Sequence, residues 1–279
     1  MTDSPPLRHL ILVIILALTP LAAAADVLSS INKVRAQGCP GQPGGAAPLR
    51  ASRQLEAIAR QLEAGVDLQR AEKEQHYLAE NATSVHISGV PDDELERVMG
   101  KQFCSTATAP ELREIGVYRG RTGLWIVLAQ PFTPPPARDA PAVGRRVLEL
   151  TNQARSHARR CGRTLYPAAP PLTLNVALER AALEHSQDMA AHNYMDHTGR
   201  DGSTPDDRIT RTGYKWRIVG ENLASGAMSA EEAVDGWLES PPHCANLMDG
   251  HFTQMGIAFA VNPKTDGGAY WTQTFGTPR

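Results

Sequence analysis

This 279-residue chain contains nine histidines and four cysteines, the residue types that could act as metal ligands, as acids and bases or in disulfide bonds. Six of the histidines lie in residues 141–279, so the candidate site is predicted in that part of the chain. His185 and His192 lie seven positions apart on one predicted helix face, a pattern typical of core and helix-end residues. A Ser/His/Glu hydrolase could be built with Ser203 or Ser240, but the spacing selects neither. The sequence contains no Gly-x-Ser-x-Gly elbow, P-loop or closely spaced cysteine pair.

The chain repeats itself, and the repeat divides the cysteines between two copies. Residues 27–35 resemble residues 147–155. Each segment is followed by a cysteine, a Pro-Leu pair, an amphipathic helix and a second cysteine. Four cysteines allow three pairings. Equivalent positions in two copies favour one bridge per copy, namely Cys39–Cys104 and Cys161–Cys244.

The first 25 residues have the pattern of a secretory signal peptide. Arg8 precedes a short apolar run, and small residues lead to Ala25. The alternative is an uncleaved membrane anchor, but the run is shorter than the roughly 20 residues a span needs. We therefore expect a secreted or periplasmic protein with no transmembrane segment after cleavage. Export also permits disulfide bonds.

The remaining sequence divides at a proline-rich stretch, residues 132–142, which predicts an extended spacer. It separates a predicted domain at 26–131 from a second at 143–279. With 42% hydrophobic residues and a net charge of −2, the chain is typical of a globular protein without a nucleic-acid-binding face.

The second half shows helical periodicity first and strand alternation later. Pro241-Pro242 is expected to end the helix that follows Ser229. The order predicts an α+β fold, with a small antiparallel sheet between helical layers. The predicted elements are helices at 143–160, 175–192 and 229–237, and strands at 216–224, 252–261 and 270–275.

Five ordered motifs in the second half carry a family resemblance. They lie at residues 197–205, 220–224, 233–237, 240–247 and 250–256. Together they resemble the bacterial form of the CAP superfamily, or SCP domain, which includes cysteine-rich secretory, antigen 5 and pathogenesis-related type 1 proteins. The resemblance implies an α–β–α sandwich. The first half carries the scaffold features but not the site residues, so we interpret it as a degenerate CAP-like copy, giving tandem α–β–α sandwiches.

The resemblance also implies a cleft lined by two histidines and two acidic residues. His197, Glu221 and His251 match three of these positions, and Ser240 replaces the fourth. The candidate cleft residues are His197, Glu221, Glu239, His243 and His251. Two imidazoles and a carboxylate suit Zn²⁺ or another divalent cation with an open water position. The alternative is a hydrogen-bonded polar cluster that braces the sheet; no catalytic residue is assigned.

Three functions follow from these patterns. The first is a non-enzymatic exported module that binds a lipid, a small hydrophobic ligand or an envelope partner. The second is a metal-dependent hydrolase acting on peptide or cell-wall substrates, and the third is a structural envelope protein. A nucleic-acid partner is not expected, because no basic face is predicted.

Overall fold

The computed structural model describes residues 20–279. The basic and apolar parts of the predicted signal peptide lie outside these residues. The chain divides into two compact units. Unit 1 extends to Gln75 and resumes at Asn81–Gln130, while unit 2 comprises His76–Glu80 and Pro131–Arg279. Among the described residues, every helix is too short or too polar to cross a membrane.

The described part of unit 1 contains five α-helices and most of a four-stranded sheet in the order β3-β5-β6-β4. Strand β3 runs parallel to β5, and β5 pairs antiparallel with β6. Helix α2 packs against β5 through Leu55 and Ile58, whereas α1, α4 and α5 contribute to a separate core cluster. The elements are α1 (Pro20–Gln37), β1 (Gly38–Cys39), β2 (Gln42–Pro43), β3 (Arg50–Ala51), α2 (Arg53–Glu63), α3 (Leu68–Glu74), β4 (Ala79–Ile87), α4 (Leu95–Gln102), α5 (Cys104–Thr108), β5 (Glu114–Arg119) and β6 (Leu124–Pro131).

Unit 2 has a sheet in the order β9-β11-β12-β10 between two helical layers. Helices α7 and α8 pack on one face of this sheet. Helices α6, α9 and α10 pack on the other face and form a core with it around Trp237 and Trp271. This confirms the predicted α+β class. The elements are α6 (Ala140–Arg155), β7 (Arg159–Cys161), β8 (Thr164–Tyr166), β9 (Thr173–Leu174), α7 (Val176–His192), α8 (Pro205–Arg211), β10 (Trp216–Ser225), α9 (Ala230–Glu239), α10 (Pro241–Met248), β11 (Gln254–Val261) and β12 (Ala269–Pro278).

Two element boundaries differ from the sequence predictions because proline is compatible with a helix start. Helix α6 begins at Ala140, with Pro141 in its first turn, and ends at Arg155. Pro241-Pro242 separates α9 from a further helix, α10, and forms the first turn of that helix. The sequence reading missed α10, which carries His243 and Cys244.

A buried arginine fixes the end of the first long helix in each unit. Arg155 donates four hydrogen bonds to backbone carbonyls, those of Pro170, Leu247, Asp249 and Phe252, over 2.8–3.2 Å. Its side chain is buried, and the carbonyls provide the partners that a buried guanidinium requires. The helix is thereby joined to segments almost one hundred residues away.

The corresponding helix of unit 1 ends in the same arrangement. Arg35 is buried and donates to the carbonyls of Ala47, Ala107, Ala109 and Leu112 over 2.7–3.1 Å. Three residues earlier in each helix, an asparagine exchanges two hydrogen bonds with the backbone of a leucine. These pairs are Asn32 with Leu49 and Asn152 with Leu172.

Helix and strand approach closely at one glycine in each sheet. A Cβ on Gly256 would lie 2.2 Å from the Leu178 carbonyl carbon, and one on Gly116 would lie 2.0 Å from that of Leu55. Only glycine permits this distance between a helix backbone and the strand beneath it. Asn175 starts α7 by accepting the backbone N–H groups of Ala177 and Leu178.

Two disulfide bonds close the units, and both confirm the predicted pairing. Cys39–Cys104 joins β1 to α5 with a Cα–Cα distance of 6.1 Å. Cys161–Cys244 joins β7 to α10 with a distance of 5.5 Å. All four cysteines of the chain are therefore paired.

Candidate functional site

Glu221 is the central residue of the candidate cleft. It lies in β10, where it pairs with Thr274 of β12, and its side chain is only 2% exposed. One carboxylate oxygen, Oε1, accepts a hydrogen bond from His197 Nδ1 at 2.8 Å. The other, Oε2, accepts one from Arg208 Nη2 at 2.8 Å. Both oxygens of this buried carboxylate therefore have a protein partner.

Arg208 positions the loop that carries His197. It follows Thr204, which starts α8 through a capping box with Asp207. Its guanidinium donates to the carbonyls of Ser203 and His197 at 2.9 and 3.0 Å, in addition to its bond with Glu221. The sequence analysis missed this residue. Its position just after the motif at residues 197–205 was the only local signal, and this position does not indicate that Arg208 contacts Glu221.

His197 is the exposed member of this group, with 52% of its side chain accessible. Its hydrogen bond to Glu221 raises the pKa of His197 above its usual value, against the opposing effect of burial. His197 and Glu221 thus form a hydrogen-bonded dyad, and Arg208 is bound to the carboxylate of the same dyad. Such an arrangement can hold a proton on His197 and fix the ring orientation.

Amide side chains from the remaining motifs form a second layer beneath Glu221. Asn246 of α10 donates to the Glu221 carbonyl and to the Asn222 side chain at 3.1 and 3.0 Å. Asn222 donates to the His243 carbonyl and to Gln273. These bonds join β10, β12 and α10 in a buried network. The motif residues therefore fix the backbone around Glu221.

The structure does not bring His251 to this cluster as a ligand. Its side chain is 85% exposed, and its Nδ1 lies 2.7 Å from Asp249 Oδ1. Glu239 is exposed at the end of α9. His243 is half-buried, and burial, followed by the nearby charge of His197, lowers its pKa. Only His197 and Glu221, of the five predicted cleft residues, share a direct contact.

The residues in this arrangement do not fit a divalent cation. Across residues 20–279, no three His, Cys, Asp or Glu side chains are grouped so that they could hold a metal ion. Arg208 places a positive charge 2.8 Å from one oxygen of Glu221, the carboxylate that would have to bind a metal here. The same charge opposes a dication at this carboxylate.

His185 lies beneath the same loop. It is almost completely buried in α7, and its Nε2 lies 2.8 Å from the Asp196 carbonyl. Its Nδ1 has no hydrogen-bond partner among the described residues. Burial is the main cause that lowers the pKa of His185. The sequence interpretation of this residue as a core histidine agrees with this placement.

An apolar groove of about 530 Å³ lies elsewhere in unit 2. Its walls are the proline-rich segment, helix α7 and the end of β11. Within the described residues no charged side chain lines it, and Gln187 and Asn262 are its polar members. The main apolar contributors are Pro134, Pro135, Pro136, Leu183, Phe259 and Val261.

Packing holds the proline-rich wall of this groove in place. Phe132 packs against the unit 2 core, and its backbone N–H donates to the Leu78 carbonyl at 3.0 Å. A short 3₁₀ helix, Ala137–Asp139, continues the segment into α6. The sequence predicted an extended spacer here but did not indicate what the spacer packs against.

Comparison with known proteins finds a family to which most of unit 2 is similar. Residues 148–275 match the family described as "CAP: Cysteine-rich secretory protein family". Residues 148–275 are therefore similar to this family. The match begins in α6 and ends in β12, so all of unit 1 lies outside it, as do residues 76–80 of unit 2.

Two curated proteins of Bacillus subtilis (strain 168) are similar to this region. Uncharacterized protein YkwD is 31% identical over 134 residues, which cover 48% of this chain and 47% of that protein. Uncharacterized membrane protein YlbC is 32% identical over 94 residues, or 34% of this chain and 25% of that protein. The chain thus spans half or less of the length of the curated relatives it matches.

Solved structures with some similarity include two bacterial surface or extracellular proteins. An extracellular protein containing an SCP domain from Bacillus anthracis is 19% identical, with 75% of this chain and 70% of that chain covered and a TM-score of 0.42. An outer surface protein of Borrelia burgdorferi is 23% identical, with 48% and 89% covered and a TM-score of 0.39.

Proposed function

We propose that the CAP domain is a non-enzymatic binding module that takes a small apolar ligand in the groove between the proline-rich segment, α7 and β11. The observation that carries this proposal is the uncharged lining of a groove of about 530 Å³. Sites for small molecules are usually concave, mostly apolar and a few hundred cubic ångströms in volume.

The chemistry of the lining indicates the class of ligand. Proline, alanine, leucine and phenylalanine side chains favour an acyl chain or another uncharged hydrocarbon, because burial of apolar area stabilises the complex. Gln187 and Asn262 provide polar groups at the groove for one hydrogen-bonding end of the ligand. Leu183 remains 40% exposed in the free protein, so a ligand would cover apolar surface that now faces water.

The bonding of Glu221 supports a bracing role for the polar cluster. A general base must reach a substrate proton directly or through one water molecule. Both oxygens of Glu221 are occupied by His197 and Arg208, and the side chain is buried. The carboxylate therefore orients the loop at residues 197–204 and stabilises the sheet edge.

The test uses N-phenyl-1-naphthylamine, an uncharged fluorescent probe, with the full chain. We expect saturable binding that the Leu183→Asp variant weakens at least about tenfold, because a charge must then be desolvated in the groove. Val176→Asp is the matched control, since Val176 is exposed on the same helix but does not line the groove. Equal affinity in the two variants would reject this groove as the binding site. Native mass spectrometry of the purified protein would identify a ligand retained from the host.

We further propose that the chain is exported and that unit 1 is a degenerate CAP-like copy which stabilises the protein without a polar cleft. Support for export comes from the leader-like residues 1–25 and from the two disulfide bonds. Support for the copy comes from the shared strand order and from the matching bonds of Arg35 and Arg155. N-terminal sequencing of the protein from its host tests export, because cleavage is expected after Ala25.

A further inference from the structure

The β7–β8 hairpin of unit 2 combines exposed positive charge with an exposed apolar side chain. Arg159, Arg160 and Arg163 are all exposed, and Gly162 forms the turn with a positive φ of 60°. Leu165 is 60% exposed and lies directly opposite Arg160 in the strand register. Opposite residues share a face of an antiparallel pair, so Arg160 and Leu165 project together.

The opposite side of the hairpin is anchored to the domain. Cys161 is bonded to Cys244 of α10, and Tyr166 packs against the same small core cluster. The turn approaches Pro241, whose Cβ would lie 3.1 Å from a Cβ on Gly162. The hairpin is therefore held in a fixed position on the domain, with Arg160 and Leu165 on its free face, Arg163 next to the turn, and Arg159 exposed on the face of Tyr166.

These arginines lack acidic partners. Within residues 20–279, no carboxylate oxygen lies within 4.0 Å of the guanidinium groups of Arg159, Arg160 or Arg163. The one polar contact among them is a bond from Arg160 Nη1 to the Arg163 carbonyl at 3.1 Å. Arg146 of unit 2, by contrast, is paired with Glu149 and Glu231. The charge of the hairpin is thus available to an external anion.

The equivalent hairpin of unit 1 shows that the structure does not require these charges. Its strands, β1 and β2, are joined through Cys39 to α5 in the same way as β7 is joined through Cys161 to α10. Residues 38–43 have the sequence Gly-Cys-Pro-Gly-Gln-Pro, without a charged or large apolar side chain. The three arginines and Leu165 are therefore additions to a hairpin that forms without them.

We propose that the β7–β8 hairpin docks the protein on the surface of an anionic phospholipid membrane. The guanidinium groups would bind lipid phosphates, for which their planar donor geometry is suited. Leu165 would enter the boundary between headgroups and acyl chains, where an exposed apolar side chain loses its contact with water. A nucleic acid would use the arginines but would leave Leu165 exposed, so the membrane explains both features. This inference is independent of the apolar groove.

The experiment measures cosedimentation of the full chain with vesicles of phosphatidylcholine alone or mixed with phosphatidylglycerol. We expect binding to the anionic vesicles only, decreasing as salt is added. Replacing Arg159, Arg160 and Arg163 together by glutamine is expected to weaken binding about fivefold per arginine, or on the order of a hundredfold in total. Replacement of the same three by lysine should retain most of the binding, because it keeps the charge.

Two further variants distinguish the hairpin from general electrostatics. A control with Arg121, Arg145 and Arg217 changed to glutamine loses the same net charge from other exposed positions and should bind normally. Leu165→Ser should reduce binding several-fold while the salt dependence remains. Unchanged binding of the hairpin triple variant, or equal losses in both triple variants, would overturn the proposal. So would an unaffected Leu165→Ser variant together with full competition by inorganic phosphate, which would indicate a soluble anion instead.

Discussion

Arg208 and Glu221 form a buried ion pair in which guanidinium Nη2 lies 2.8 Å from carboxylate Oε2, and both side chains are almost inaccessible to water. Because the second carboxylate oxygen is bonded to His197, the pair connects α8, β10 and the loop at residues 197–204 that precedes α8. The carboxylate at the centre of the five sequence motifs is thereby neutralised by the chain itself.

Substitutions in this pair should strongly affect the free energy of unfolding, and removing only the arginine should cost more than removing both charges. Arg208→Met should lower the free energy of unfolding by about 3–5 kcal/mol, because it leaves a buried carboxylate without its cation. The double variant Arg208→Met, Glu221→Gln should recover part of that loss. Urea unfolding measures both. Arg211→Met is the control, since its pair with Asp201 is half-exposed and should be worth less than about 1 kcal/mol. Equal losses for Arg208 and Arg211 would contradict the structure.

The pKa values of two histidines near this pair should be shifted in opposite directions. The hydrogen bond to Glu221 raises the pKa of His197, and burial lowers the pKa of His185, relative to a usual value of 6.5. An NMR titration of the ring protons should therefore place His197 above 6.5 and His185 below it. In the Glu221→Gln variant, the pKa of His197 should fall. An unchanged value would show that the bond does not persist in solution.

The same shifts determine how stability depends on pH. The contribution of His197 is complete below the unfolded pKa and is lost as pH rises through its higher folded value. His185 acts in the opposite sense: its contribution is present above the unfolded pKa and is lost as pH falls. Above pH 6.5, the stability of the wild-type protein should fall with rising pH more steeply than that of the His197→Gln variant. Thermal unfolding of both proteins at a series of pH values measures this difference.

Arg35 and Arg155 should be difficult to replace, even by lysine. An ammonium group cannot reach the four carbonyls that each guanidinium satisfies, and hydrogen bonds to charged groups contribute about 1.5–3 kcal/mol each. Arg155→Lys should therefore lower the free energy of unfolding of unit 2 by at least about 3 kcal/mol. Differential scanning calorimetry measures the change. Arg145→Lys, on the exposed side of the same helix, should be neutral, and a comparable loss there would refute this account.

Each disulfide bond should contribute through the entropy of the unfolded chain. The bridges span 65 and 83 residues, for which the loop-closure relation gives about 4–5 kcal/mol each before strain. Changing both Cys161 and Cys244 to serine should lower stability by about this amount. A thiol assay on the denatured, unreduced wild-type protein should find no free cysteine. Any reactive thiol there would disprove the pairing.

The sequence was most informative where the pattern was local or repeated. Asn175 and the periodic residues after it predicted α7 to within one residue at each end. The repeat selected the disulfide pairing from three possibilities, because equivalent cysteines must occupy equivalent positions. Alternation predicted β11 and β12. In each case the signal lies within a short segment or is present twice.

Features that depend on distant contacts were not accessible in this way. Arg208 is a single arginine in a seven-residue helix, and only the fold places it against Glu221. His251 was assigned to the cleft by resemblance, but the neighbouring Asp249 holds its ring. The groove exists because an extended proline-rich segment packs beside α7, and an extended segment has no periodicity that indicates its neighbour.

The bonds of Arg155 also constrain the order in which the domain can assemble. Its carbonyl partners at Leu247, Asp249 and Phe252 are supplied near the end of the chain. Until that segment arrives, burial of the guanidinium would leave a charge without partners, so the end of α6 must remain hydrated. Final docking of the first helix of the domain therefore waits until residues 247–252 have emerged. A nascent chain stalled before Leu247 would keep this part of its interior open to chaperones and proteases.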